Sequence, residues 1–257
     1  MRDYKHSGTV DAIREAGGEI YAITSEPHSL ALNAQEHWET GFDHIGDPHQ
    51  EILAECSERG WLSLFIWQHA ENSSTQLTEW VSHPKGYFQP GVLALNQEKR
   101  VLYRWRSRPD RQNIGGAAGR PTAAHVWECV QAALEAPSDA QDVSLDESAS
   151  LDGLRAPWPI FLALLIGNGW FLKPVFFGQR TGKNPKDSLK ARIRNAQLRL
   201  MFFIIGWIAA FAILPLWIPI VALAGWVAWI APKINKVNKG FQNVRSDEEP
   251  AEHVVVD

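Results

Sequence analysis

Apolar and polar positions change rhythm along this chain, and the change comes near residue 136. Before it, short apolar runs alternate with charged stretches. After an acidic interval the runs lengthen, until no charged residue occurs between Met201 and Ala231. The first part predicts an α/β order. Thr9 to Ala16 has helical spacing and is closed by Gly17 and Gly18, a pair suited to a left-handed C-cap. "EIYAITS" (Glu19 to Ser25) is β-branched and aromatic, so a strand. A helix follows from Pro27 to about Thr40, with Leu30, Ala34 and Trp38 on one face. "FDHIGD" is a second extended piece, and Asp47 as N-cap with Pro48 at the first position opens another helix ending at Gly60. Its inward positions are Ile52, Leu53 and Cys56. "WLSLFIW" (Trp61 to Trp67) predicts a strand and "QHAENSSTQ" a loop. Val92 to Leu95 and Val101 to Arg106 form a hairpin around "NQEK", whose second strand has one wetter face at Leu102, Arg104 and Arg106. After a long loop, Thr122 to Ala136 is a closing helix that buries Val126, Cys129, Val130, Ala133 and Leu134.

The second part reads differently. Ala136 to Gly153 is acidic, small and without aromatics, which predicts a flexible linker over 137–156. Trp158 to Phe177 is apolar but broken at Gly167-Asn168-Gly169, so it is interfacial or a short insertion. Residues 184–200 put Leu189, Ile193 and Leu200 on one helical face and Lys and Arg on the other, an amphipathic surface helix. As one straight helix, 201–231 would run about 45 Å against a bilayer core of ~30 Å. Pro215 and Pro219 divide it. Arg180 to Arg199 and Lys233, Lys236 and Lys239 make both flanks basic, and a hairpin keeps both on the cytoplasmic side. A re-entrant or shallow hairpin turning near Pro215–Pro219 is therefore favoured over a kinked single span. Residues 242–257 read as a disordered tail.

Composition narrows the function classes. The formal charge is −4 with no basic face across the chain, so no nucleic-acid partner is expected. Two cysteines, Cys56 and Cys129, do not make a disulfide framework, and Met1 to Thr9 carries no signal-peptide pattern. These features place the α/β part in the cytoplasm. The histidines, His125 among them, lack zinc-ligand spacing, and neither metal nor cofactor is expected. Both cysteines fall mid-helix on inward positions, where Cys behaves as a small hydrophobe. "GGAAGRPT" before the closing helix is a candidate anion loop, with Gly115, Gly116, Gly119 and Arg120 as contacts; a plain loop with a helix start at Pro121 is the other reading. Arg104, Arg106, Arg108 and Arg111 form an anion or partner patch, or simply a solvated strand edge.

Four segments taken in order carry a resemblance: "GGEIYAITSEP" (Gly17 to Pro27), "DHIGDPHQEI" (Asp43 to Ile52), "QPGVLALNQEKRVLYRW" (Gln89 to Trp105) and "GGAAGRPTAAHVW" (Gly115 to Trp127). Together they resemble the peroxiredoxin-like redoxins of the AhpC/TSA group, over residues 1–136. The resemblance implies an α/β, thioredoxin-like domain, here incomplete, followed by an α-helical membrane-associated region. It implies that Pro90, flanked by Gln89 and Gly91, matches the cis-proline that faces the active-site thiols. On that view the groups around Pro90 stay open to pair with an extended ligand; a trans proline that merely begins a strand is the alternative. It also implies thiol-dependent redox or peroxide reduction, with a thiol-redox protein as partner beside membrane lipid. Such proteins carry a nucleophilic cysteine at the start of the first long helix, after a central strand. "MRDYKHSGTVDAIREAGG" resembles only the later part of that helix. An upstream start and a degenerate domain both account for this. Without the thiolate the expected chain is inactive, and a non-catalytic binding or scaffold module at the membrane is the alternative function.

Overall fold

The structure is a computed structural model that describes residues 2–67, 85–111, 113, 119–137, 139–152, 157–177 and 189–251. The chain divides into two compact units, a mixed α/β unit and an α-helical unit that begins after residue 155 and ends at Gln242. In the first, α1 (Arg2–His6) and α2 (Thr9–Glu15) precede β1 (Tyr21–Thr24), α3 (His28–Trp38), β2 (Asp43–Gly46) and α4 (Glu51–Glu58). β1 and β2 pair in parallel, Tyr21 opposite Asp43 and Thr24 opposite Gly46. Parallel strands need a crossover, and α3 supplies it. Gly46 lies hard against the entry to α3: a Cβ there would fall on the backbone of Glu26 and His28.

α4 begins at Glu51 and not at Pro48, because Gln50 takes a left-handed backbone at φ 62°. Asp47 still holds the helix end, its carboxylate accepting from the amides of Glu51 at 2.8 Å and Leu53 at 3.2 Å. The strand expected over Trp61 to Trp67 contracts to β3 (Ile66–Trp67), paired with β4 (Tyr87–Phe88). The "QHAENSSTQ" loop lies outside the described residues.

β5 (Gly91–Leu95) and β6 (Val101–Arg106) form the expected hairpin, antiparallel, with a register shift at Ala94/Leu95 and Lys99 at φ 68° closing the turn. Short β7 (Arg120–Pro121) follows, so Pro121 sits in a strand and not at a helix start. α5 (Ala123–Leu134) packs its Val126, Val130 and Ala133 on Leu102, Tyr103 and Trp105 of β6. Leu102 is thus core, contrary to the wetter face expected of it; Arg104 and Arg106 are the half-buried ones. Leu134 is exposed, one position off the Val126–Val130–Ala133 stripe.

The segment after α5 is not a free linker. The Val143 amide donates to the Val101 carbonyl at 3.0 Å and the Asp146 amide to the Arg104 carbonyl at 2.9 Å. The Val101 amide in turn reaches Asp142 Oδ1 at 2.8 Å. β6 would otherwise present an unpaired edge, and this segment covers it. It ends in β8 (Leu151–Asp152), antiparallel to β7. The strands stand as four separate pairs among the described residues.

The second unit holds α6 (Trp158–Asn168), α7 (Leu189–Ile213) and α8 (Trp217–Gly240). The surface helix and the first hydrophobic arm, expected as separate elements, are one continuous helix in α7. α8 likewise continues past the apolar stretch through Pro232 to the lysines. Each is therefore long and apolar enough to cross a membrane, and only 6% and 11% of their apolar windows are buried. The break falls between Ile213 and Trp217, where Pro215 was expected to turn the chain. Phe203 of α7 meets Trp226 of α8 at 5.0 Å between ring centres and stacks on Phe171 at 3.9 Å. α6 approaches α7 closely because Gly167 has no Cβ; one would lie 2.9 Å from the Ala196 carbonyl oxygen. Arg199 donates to the Asn168 carbonyl at 3.2 Å, satisfying an acceptor left open at the end of α6.

Candidate functional site

The densest set of chemically capable side chains lies where α5, β6 and the segment after α5 meet. α5 is capped at its start by Thr122, whose hydroxyl accepts from the His125 amide at 3.2 Å. One turn further on, His125 and Cys129 stand on the same helical face. His125 Nε2 lies 2.9 Å from Asp146 Oδ2 and 3.7 Å from Cys129 Sγ. The Tyr103 hydroxyl donates to the same Oδ2 at 3.0 Å, and its ring meets the His125 ring edge-on at 6.2 Å. Ser148 donates to Asp146 Oδ1 from its amide at 3.1 Å and its hydroxyl at 3.2 Å.

Burial alone would raise the Asp146 carboxyl, but the hydrogen bonds from His125, Tyr103 and Ser148 outweigh it and hold the group below the usual carboxylate range. Burial, then the hydrogen bond to Asp146, pushes the Tyr103 phenol up. Burial, then the Asp146 charge, pushes the Cys129 thiol up. Cys129 and Asp146 both address Nε2 of His125. A nucleophilic triad needs its nucleophile and its orienting carboxylate on different ring nitrogens of the histidine base, so this is not one. Asp146 also lines an open cleft of 310 Å³, together with Trp105, Arg106, Arg108, Asp110 and Asn113. Arg106 pairs there with Glu249.

The sequence predicts no ligand spacing at His125 and an inward, hydrophobe-like position for Cys129. Both readings are corrected by the contacts above. The signal was present as an i, i+4 His–Cys pair; the third member, Asp146, sat in a stretch whose composition reads as solvated linker.

The expected proline site differs too. The Gln89–Pro90 bond is trans, since no described peptide bond is cis. The Pro90 carbonyl accepts from the Ser107 amide at 2.7 Å, the Gln89 amide donates to the Phe65 carbonyl at 2.9 Å, and Gly91 is in register with Arg106. The backbone groups expected to be open to a ligand are thus taken by the protein's own strands. With no donor of its own, Pro90 fits a strand mouth without breaking any bond. A Cβ added at Gly91 would run into the Leu64 side chain.

Of the candidate anion loop, Gly115 and Gly116 lie outside the described residues. The Gly119 amide donates to Asn113 Oδ1 at 2.6 Å, and Arg120 pairs in register with Asp152. At the start of α5 the Ala123 amide donates to Asp3 Oδ2 at 2.7 Å. Gly119 and the first turn of α5 already have protein acceptors for these amides. Comparison with known families, with curated proteins and with solved structures finds no match to this chain.

Proposed function

We propose that this chain is a membrane-anchored thioredoxin-like module that binds without thiol turnover, its α/β unit held at the cytoplasmic face. The observation that carries the reading is the helix pair α7–α8. Both helices are long, apolar and unburied, and they are joined by a short break and flanked by lysine and arginine at their outer ends. An antiparallel hairpin keeps those flanks on one side, which the positive-inside rule makes the cytoplasmic one. The thioredoxin-like part of the reading is supported by the element order in the resembling segments. The parallel β1–α3–β2 unit, the β5–β6 hairpin and the closing α5 follow in that order, while the two strand pairs stay unjoined. Absence of turnover is supported by Cys56, which lies within α4 and whose thiol burial pushes up. Membrane lipid is the hairpin's partner, and a thiol-redox protein is the partner class that the resemblance implies for the α/β unit.

Protease sidedness tests the placement. Trypsin admitted to the cytoplasm with internal membranes sealed should cut the basic flanks; cutting only from the opposite side overturns it. Thiol-dependent peroxide consumption by the purified full chain would overturn the non-catalytic part.

A further inference from the structure

We propose that His125 Nε2, Cys129 Sγ and Asp146 Oδ2 form a binding site for a zinc-class divalent cation. The three donor atoms lie within 4.8 Å of one another and come from two segments that α5 and β6 hold in place. Tetrahedral zinc, with bonds of about 2.3 Å to sulfur and about 2.0–2.1 Å to nitrogen, sets those two ligands about 3.6 Å apart. Cys129 Sγ and His125 Nε2 are 3.7 Å apart. The same geometry sets nitrogen and carboxylate oxygen about 3.4 Å apart, against 2.9 Å here. The present hydrogen bond would open by about half an ångström, which side-chain rotation supplies.

One thiolate, one imidazole and one carboxylate form a mixed set that suits zinc, whereas magnesium and calcium prefer oxygen alone. The site rests on the spacing of its donors. Without a cation, burial first and then the Asp146 charge disfavour a thiolate at Cys129. A divalent ion between them reverses the sign of that interaction. Binding exchanges two bonds to hydrogen for two bonds to the metal: the Cys129 S–H proton leaves to solvent, and the His125 Nε2 proton that now faces Asp146 relocates to Nδ1 so that Nε2 can coordinate, while Asp146 binds as the carboxylate. Tyr103, donating to Asp146 Oδ2 at 3.0 Å, is a positioning residue that fixes the carboxylate. The ion reaches the site by the cleft that Asp146 lines.

The test is titration of the reduced, metal-stripped full chain in detergent micelles, first with cobalt(II) and then with zinc. One equivalent of cobalt should give a thiolate-to-cobalt charge-transfer band, and zinc should abolish it. Cys129→Ser should lose the band and Cys56→Ser should keep it. Tyr103→Phe should keep the band with affinity lowered by about 10–100-fold. No charge-transfer band in the wild-type chain overturns the site whatever the variants do. A band kept in Cys129→Ser or lost in Cys56→Ser places the ion elsewhere and overturns it equally.

Discussion

The Tyr103 hydroxyl, on a side chain buried to 1% exposure, donates to Asp146 Oδ2 at 3.0 Å and so ties the core strand β6 to the segment that follows α5. A hydrogen bond to a charged acceptor contributes about 1.5–3 kcal/mol. Tyr103→Phe keeps the ring packing and removes only the bond. It should lower the unfolding free energy of the full chain in micelles by about that amount, read by denaturant titration with near-ultraviolet circular dichroism. A change under about 0.5 kcal/mol would mean that the Tyr103–Asp146 bond does not hold the segment to β6.

Gly46 gives a steric counterpart. Gly46→Ala would drive a methyl into the backbone of Glu26 and His28, atoms that no rotamer change can move aside. The variant should be destabilised by about 1–3 kcal/mol in the same titration. Unchanged stability would show that α3 and β2 do not meet so closely.

His44, buried at 1% exposure beside Trp38 and Phe42, lies 2.9 Å from the Thr40 hydroxyl. Burial pulls its pKa below the ordinary value, so the unfolded chain takes up a proton more readily than the folded one. Its contribution to stability is therefore full above the unfolded value of about 6.5 and is lost as pH falls through the lowered folded value. Between pH 7.5 and 5.5 the wild-type chain should lose more stability than His44→Gln. Equal losses would remove His44 as the origin of the acid sensitivity.

Cys56 should alkylate more slowly than free cysteine at neutral pH, because burial first, then Glu55 and Asp47, push its thiol up despite the opposing Arg59. The measurement is the iodoacetamide rate in Cys129→Ser, where Cys56 is the remaining thiol. A rate at or above that of free cysteine would mark Cys56 as an activated nucleophile.

The hairpin β5–β6 and helices α2, α3 and α5 were legible because apolar period and end signals agree there. Gly17 at φ 81° closes α2 as its position implies. Two kinds of feature were not. Asp142 and Asp146 look like linker residues because composition reports average polarity and not which carboxylate meets a β6 amide or a Tyr103 hydroxyl. Pro90 looked like a ligand-facing feature, but whether its neighbours' amides are open depends on Phe65 and Ser107, distant in sequence and adjacent in space. The long reach of α7 and α8 was missed for a third reason. Counting only uncharged residues ends a helix where its first lysine begins, while the backbone continues through basic turns.

The central claim, that α7 and α8 anchor this chain in a bilayer, is tested most directly by alkaline carbonate extraction of membranes carrying the full-length protein. Retention in the membrane pellet is the predicted result. Release of the intact chain into the supernatant would contradict it.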